Sequence, residues 1–414
     1  MTDRPVAELL EMILEQDTTL NAFVHVDRSA MAEVSSGPLS GRCVAVKDNV
    51  AVRGAPWACG SASRGTLGPA RGDAEVVRRL RAAGATVVGT TNLDELAMGA
   101  STETSVFGPT RNPHDPTRTA GGSSGGSGAA VAAHGIAAIG TDTGGSIREP
   151  AAFCGVVGMA PSPGSVPVDG VVDFAPSLDR VGPMAPDVLT AALLHDVMAG
   201  SNGHHAAARR GARSRSLAGW RIGRVVPMSG DRNAPGALLR FEEAVEAMRL
   251  LGAEIVDVEV PRFGELLDTY LAITSVEALP VLEQHAPGGL GDEASSRLEI
   301  ARRLDGSHEH AEALAVRERI TADARTEFAS CDVMISPTVP LVAPPLGRPG
   351  IDDPLARPRT DWWTVEANMA RLPALSLPCG LSDGLPVGLQ LMAATGQDAT
   401  LYRVAATVEQ AIRT

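Results

Sequence analysis

The sequence is nearly free of lysine. Of its 36 basic residues, 35 are arginine, and Lys47 is the one lysine. A codon bias toward arginine accounts for the other positions but leaves this exception unexplained. Arginine keeps its proton at any accessible pH, whereas burial can lower the pKa of a lysine until its amine serves as a base. Lys47 is therefore a candidate for chemistry that arginine cannot perform.

Cysteine is scarce, and no long hydrophobic run is present. The five cysteines are widely spaced and include no CxxC pair, so they predict neither a disulfide framework nor a structural zinc site. No apolar run approaches the roughly 18 residues of a membrane helix, and residues 1–15 lack the basic and apolar regions of a signal peptide. We expect a cytoplasmic protein that does not cross a membrane and uses neither metal nor cofactor.

Aromatic residues make up only 3% of the 414 residues, which leaves few to line an aromatic substrate pocket. The pair Trp362-Trp363, beside Asp361, is the one we expect near a substrate. The formal net charge of -13 would repel a phosphate backbone, and the basic residues are spread out except at 209–215. We therefore expect no direct binding of nucleic acid.

Strand-like and helix-like segments alternate along the chain, which predicts an α/β fold. We interpret 1–414 as one domain, in which a core at about 42–200 and a second half at about 216–414 complete the same sheet. The run 206–215 is interpreted as a flexible linker between them. Predicted strands cover 42–46, 85–89, 136–140, 221–226, 254–260, 332–336, 374–377 and 387–392. Predicted helices cover 6–15, 74–83, 129–133, 187–198, 236–251, 263–279, 295–304 and 309–330, and another begins near 399.

Two glycine-serine loops, 121–128 and 141–146, flank a short predicted helix and strand. The first matches the G-x-S-x-G pattern of a nucleophile elbow, but that elbow follows a strand, and here the proline-rich segment 108–119 precedes the serine. A phosphate-binding loop fits no better, because no Gly-Lys-Ser/Thr follows. The first loop by itself therefore does not identify a reaction.

The second loop follows the predicted strand 136–140. Its residues Thr143, Gly144, Gly145 and Ser146 offer successive backbone N–H groups for an oxyanion hole, and Ser146 is placed to act as a nucleophile. A serine hydroxyl needs an adjacent base, and none of the nine histidines lies in either loop or beside Lys47. We therefore predict that Lys47 takes the proton of Ser146 through the hydroxyl of Ser123.

These residues resemble the amidase signature family. The similarity is strongest at 44–49, 121–127, 140–148 and 150–155. It implies a catalytic triad of Lys47, Ser123 and Ser146, with a cis peptide bond before Ser123 and an oxyanion hole at residues 143–146. The residues that it implies as supports for the two loops are Ser124, Asp142 and Arg148. The fold that it implies is a single α/β domain with a central mixed β-sheet sandwiched between helices.

Within that family, segments 92–99 and 107–113 are most similar to the A subunits of glutamine-dependent tRNA amidotransferases. This similarity makes Arg297 and Asp361 candidates for gripping a glutamine substrate. The other substrate-binding candidates are Met98, Gly99 and Trp362. This chain departs from those subunits in two places. The region before Arg297 is shorter, and the tyrosine-bearing substrate segment of those subunits is not recognisable there. Residues 159–165 stand in place of their usual Tyr-Gly-Arg run.

The shortened middle region favours a stand-alone amidase that hydrolyses a small carboxamide and acts, on the family pattern, as a homodimer. The alternative is an A subunit that supplies ammonia to an amidotransferase partner. A non-catalytic protein on the same fold is a third interpretation, and the intact triad disfavours it.

Overall fold

The computed structural model describes residues 5–30, 36–65, 67–347 and 362–412, with the side chain of Trp362 excepted. Within these ranges, eleven strands form one mixed sheet in the order β1-β3-β2-β4-β6-β5-β10-β11-β9-β7-β8. The strands are β1 Phe23–Val26, β2 Cys43–Lys47, β3 Thr86–Thr91, β4 Ala137–Asp142, β5 Val157–Ala160, β6 Arg180–Ala185, β7 Arg221–Val225, β8 Glu254–Val258, β9 Val333–Pro337, β10 Ala374–Ser382 and β11 Leu385–Met392.

Helices cover both faces of this sheet. They are α1 Val6–Leu20, α2 Ala62–Gly65, α3 Glu75–Ala82, α4 Gly125–His134, α5 Arg148–Cys154, α6 Val188–Ala199, α7 His204–Ser214, α8 Pro235–Leu250, α9 Leu266–His285, α10 Asp292–Leu304, α11 His308–Glu327, α12 Trp362–Met369 and α13 Asp398–Ile412. No helix in the described part of the chain is long and apolar enough to cross a membrane.

Successive side chains along a strand alternate between the two faces of the sheet, and each face packs in a different hydrophobic core. In β2, Val44 and Val46 pack with residues of α3 and α6, whereas Ala45 packs with residues of α1 and α4. In the second half, one core contains α8 and α13, and the opposite core contains α9 and α11. Because successive side chains of a strand point to opposite faces, each strand connects two helical layers. The predicted mixed sheet between helices is confirmed.

The strands β2, β3 and β4 are parallel neighbours, so their carboxyl ends lie at the same edge of the sheet. Lys47 is the last residue of β2, and Asp142 is the last residue of β4. The two glycine-serine loops adjoin this edge, because α4 begins at Gly125 and the second loop follows β4. Parallel pairing thus brings together residues that are far apart in the sequence.

The prediction of a flexible linker over 206–215 is wrong, because most of this run forms α7. Alanine and arginine both favour helix, and the face formed by Ala207, Ala208 and Gly211 is buried. That face packs on α13, where the backbone oxygen of Arg403 lies so close to Gly211 that a Cβ atom would collide with it. Sequence analysis also missed β1, β5 and β6. The strands β1 and β5 are short, and β5 and β6 are fully buried. A strand that is buried on both faces lacks the alternation of apolar and polar residues that reveals a strand in a sequence.

Replacing Met248 by alanine is expected to reduce the free energy of unfolding by about 2–5 kcal/mol, because it opens a cavity in a close-packed core. Met248 is 0% exposed, and Leu250 on the same helix is 81% exposed. The matched control Leu250→Ala should leave stability nearly unchanged. The shift of the urea midpoint measures both variants, and equal shifts would contradict the assigned burial.

Candidate active site

Lys47 lies at the carboxyl end of β2 and is completely buried. Its Nζ donates hydrogen bonds to Ser123 Oγ at 2.7 Å and to Thr141 Oγ1 at 2.9 Å. The side-chain amide of Asn49 donates to the same Thr141 oxygen at 3.1 Å. The two loops and β2 therefore meet at the lysine amine, which is held in one position by hydroxyl groups.

Burial lowers the pKa of Lys47 to about 7, although the carboxylates of Asp94, Asp142 and Asp179 act in the opposite direction. Desolvation disfavours the ammonium form, whereas the negative charges favour it. The balance leaves an amine that is partly unprotonated near neutral pH. The lysine can therefore act as a general base.

Ser123 follows a cis peptide bond from Gly122, as the family resemblance implies. The site next to Gly122 is crowded, since a Cβ atom there would collide with the Asp94 carboxylate and with the backbone nitrogen of Ser101. Ser124 follows, and its N–H donates to the Ser146 carbonyl at 3.1 Å. This backbone contact brings the segment that carries Ser123 alongside Ser146.

The loop 143–146 is held from two sides. The N–H of Gly145 donates to Asp142 Oδ1 at 2.9 Å, and Thr364 Oγ1 donates to the Gly144 carbonyl at 2.6 Å. Gly145 has a φ of 132°, where a side chain is strained, and a Cβ atom would collide with Thr364. The expectation that Gly145 supplies an oxyanion donor therefore needs correction, because Asp142 already accepts its N–H.

Asp142 and Arg148 form a fully buried ion pair. Arg148 Nη2 lies 2.9 Å from Asp142 Oδ1, and both side chains are 0% exposed. Burial alone would raise the pKa of Asp142, but the charge and hydrogen bonds of Arg148, with a hydrogen bond from Asn368, lower it to about 2. Asp142 is therefore ionised at neutral pH, and it anchors the loop.

Arg148 also reaches elements of the second half of the chain. Its Nη1 donates to the Thr364 carbonyl at 2.8 Å and to Gln390 Oε1 at 2.7 Å, and its Nη2 donates to Asn368 Oδ1 at 2.5 Å. Ser124, the third expected support, donates its hydroxyl to the Thr141 carbonyl at 3.1 Å. The structure therefore places all three of these residues in contact with the loops or with β4.

The substrate-binding candidates are placed less uniformly. Met98 is buried in a small apolar cluster that includes Phe174. Gly99 lies against the Asp94 side chain, which would collide with a Cβ atom at this position. Arg297 lies over the Phe174 ring, with its guanidinium carbon 5.0 Å from the ring centroid, and Phe174 lines a small cavity of about 10 Å³ together with Thr143. Neither Asp361 nor the side chain of Trp362 is among the described parts of the chain.

Tyr270 is a site residue that sequence analysis missed. It lies on α9, and its hydroxyl oxygen is 2.6 Å from where a Cβ atom of Gly144 would stand. The structure therefore places a tyrosine beside the second loop, on the helix that precedes the one carrying Arg297. The feature of the sequence that could have indicated this residue is the rarity of tyrosine, since the chain contains only two.

Asp179 was also missed, and it lies against the second loop. Thr143 Oγ1 donates to its carboxylate at 2.5 Å, and two backbone N–H groups, of Phe174 and Ala175, donate to the same carboxylate. Burial raises its pKa to about 6, although these hydrogen bonds oppose the shift. The Asp179 carboxylate therefore fixes Thr143, the first residue of the segment 143–146.

Replacing Arg148 by methionine is expected to reduce the free energy of unfolding by about 3–5 kcal/mol, because it leaves the charge of Asp142 buried without its partner. Arg302→Met is the control, since Arg302 forms an exposed ion pair with Glu283. Exposed pairs contribute about 0–1 kcal/mol, so the control should unfold nearly as wild type does. Denaturant titration measures both variants, and similar losses would contradict the role given to the buried pair.

Comparisons with known proteins identify the family of this chain. The amidase family model matches residues 10–402. The A subunit of a glutamyl-tRNA(Gln) amidotransferase from Salinispora arenicola is 39% identical, over 97% of this chain and 92% of that relative. The crystal structure of the corresponding subunit from Thermotoga maritima has a TM-score of 0.85 and 35% identity, over 97% of this chain and 90% of that one.

A second kind of relative shares the fold. The structure of a peptide amidase from Stenotrophomonas maltophilia has a TM-score of 0.82 and 28% identity, and the match covers 98% of this chain and 92% of that one. The family model matches most of the chain, and the alignments with these relatives are nearly complete. The chain belongs to the amidase signature family.

Proposed function

We propose that this chain is the A subunit of an amidotransferase, which releases ammonia from glutamine for a partner subunit. The observation that carries the proposal is the 39% identity to such a subunit across 97% of the chain. The sequence alone favoured a stand-alone small-molecule amidase. That interpretation has less support, since the peptide amidase is only 28% identical.

The reaction begins at Ser146. Its Oγ attacks the carboxamide carbon, and its proton passes to Ser123 Oγ as the proton of Ser123 passes to Lys47 Nζ. The 2.7 Å hydrogen bond between Lys47 and Ser123 and the lowered pKa of Lys47 support this route. The proton then returns along the same path to the leaving nitrogen, and ammonia departs from the acyl-enzyme. Water attacks the acyl group, gives its proton to the same relay and releases the acid.

The tetrahedral oxyanion needs preorganised donors. Because Asp142 accepts the N–H of Gly145, the proposed donors are the backbone N–H groups of Thr143, Gly144 and Ser146. The loop is held by Asp142 at Gly145 and by Thr364 at Gly144. Donors fixed before the reaction do not have to reorient as charge develops, and this lowers the barrier.

Recognition of an amino-acid amide is assigned to Arg297. Its guanidinium stacks on Phe174, and its Nη1 donates to Thr274 Oγ1 at 3.2 Å. Phe174 and Thr143 line the same cavity, and Tyr270 lies against Gly144. A planar guanidinium suits the bidentate grip of a carboxylate, such as the α-carboxylate of glutamine. In the proposal, Asp361 binds the α-ammonium group.

Ammonia release should rise with pH through about 7 and then level off, because the pKa of Lys47 is lowered to about 7 and its neutral form is the base. Lys47→Arg should abolish the activity, since arginine retains its proton. The measurement is the pH dependence of kcat/KM for glutamine, and Ser146→Ala is the inactive reference. A rate independent of pH between 5 and 9, or an active Lys47→Arg variant, would exclude lysine as the base.

Arg297→Met should raise KM for glutamine about tenfold or more, because it removes a charge-assisted contact with the substrate carboxylate. The kinetics of propionamide, which lacks a carboxylate, should stay unchanged. Arg302→Met, which alters an exposed arginine on the same helix, is the matched control. An equal effect on the kinetics of glutamine and propionamide would show that Arg297 does not recognise the substrate carboxylate.

The need for a partner is tested by measuring ammonia release from glutamine, asparagine and simple aliphatic and aromatic amides. The purified chain is assayed alone and after co-purification with proteins that it retains from its own host. The A-subunit proposal expects slow release by the chain alone, a preference for glutamine, and acceleration in the complex. If the chain alone hydrolyses simple amides rapidly, and the Arg297→Met variant does so at the same rate, the result would establish a stand-alone amidase instead.

A further inference from the structure

A groove with a volume of about 530 Å³ lies between α6 and α7, away from the active site. Pro38 forms part of its wall, and Pro38 precedes β2, whose far end carries Lys47. The groove therefore opens at the amino end of the parallel strands, whereas the catalytic loops lie at their carboxyl end. A ligand bound here would not occupy the substrate site.

One side of the groove carries unpaired positive charge. Arg209, Arg210 and Arg213 are exposed on α7, and within the part of the chain that the structure describes none of them forms an ion pair. Many exposed arginines elsewhere do, as Arg303 does with Glu309 at 2.8 Å. A cluster of free guanidinium groups is unexpected on a chain with a net charge of -13.

Among the described residues that line the groove, Asp196 is the one carboxylate, and it is already engaged. Asp196 accepts hydrogen bonds from the N–H groups of His204 and His205 and from the Ser201 hydroxyl, and its Oδ1 lies 2.8 Å from His204 Nδ1. These contacts hold the pKa of Asp196 well below its usual range, against the effect of burial. Asp196 therefore has little capacity left to neutralise the arginines.

The floor of the groove is apolar. Leu193 and Val197 stand one turn apart on α6 and are half-buried, and Ala206 and Pro38 adjoin them. An apolar floor below a charged rim is the arrangement of a protein interface, in which apolar side chains fill the centre and charged groups surround it. A single phosphate ion would leave this floor uncovered.

We propose that this groove binds an extended, acidic segment of a partner protein in which carboxylates alternate with apolar side chains. Arg209 and Arg213 are four residues apart on a helix, a rise of about 6 Å. Alternate residues of an extended segment are about 6.6 Å apart. Carboxylates at every second position therefore match the two arginines, and the intervening side chains face the floor.

Nucleic acid fits the groove less well. A polyanion longer than the groove would extend over a surface whose overall charge is negative, whereas a short acidic segment interacts only with the local arginines, because salt screens charges beyond about 8 Å. The apolar floor also offers nothing to a phosphate. Binding at this groove is independent of the reaction proposed for the active site, so each proposal can fail without the other.

The test uses the full-length chain and a labelled peptide that contains Glu-Val-Glu-Val-Glu between Gly-Ser flanks, with fluorescence anisotropy as the readout. Arg209→Glu combined with Arg213→Glu should weaken binding about tenfold or more, because each substitution replaces an attractive charge pair with a repulsive one. The matched control combines Arg249→Glu and Arg302→Glu, two exposed arginines on other helices, and should bind as wild type does. Leu193→Ser with Val197→Ser should weaken binding severalfold.

Further probes decide between the possible ligands. Peptides with lysine in place of glutamate, or with serine in place of valine, should bind less well than the parent peptide. Absence of binding, equal binding by the serine peptide, or equal losses in the control variant would overturn the proposal. Tighter binding of a single-stranded RNA would replace it with a nucleic-acid site. Unchanged thermal unfolding and ammonia release in the variants would show that the fold and the catalytic site are intact.

Discussion

The second glycine-serine loop depends on the buried ion pair between Asp142 and Arg148. Removing two charges from water costs several kcal/mol for each ion, and the loss is recovered only when the partners satisfy one another. Here both side chains have a full set of contacts, since Asn368 and Gln390 complete the hydrogen bonding. Asp142 also accepts the N–H of Gly145, so the pair anchors the backbone of the second loop.

The same environment determines the behaviour of Lys47. Its amine is buried without a carboxylate in direct contact among the described residues, and its hydrogen-bond partners are the hydroxyls of Ser123 and Thr141. Carboxylates at a greater distance, including Asp142, limit the fall in its pKa. An ion pair at Lys47 would have kept the proton on the lysine. The spacing of the acidic residues thus matters as much as their presence.

Sequence analysis identified the residues that meet at the site because their chemistry is unusual and their strands are parallel neighbours. Lys47 is the one lysine, and the two glycine-serine loops adjoin the sheet edge where its strand ends. Tyr270 was missed because its position against Gly144 arises from the packing of a distant helix. The N–H of Gly145 was assigned as a free donor because backbone direction cannot be read from residue type. The helix at 204–214 was missed because its stabilising partner is α13, nearly 200 residues later.

The contacts of Arg148 also bear on how the protein is made. The side chains and carbonyl that hold its guanidinium come from residues 142, 364, 368 and 390, so the last of them is synthesised long after the arginine itself. The strand β5 pairs with β10 across a similar gap. A ribosome-bound fragment that ends before residue 390 therefore contains Lys47 and both serines but cannot complete the site. The hydrogen bonding around Arg148, and with it the support of the second loop, is therefore completed only after residue 390 has been synthesised.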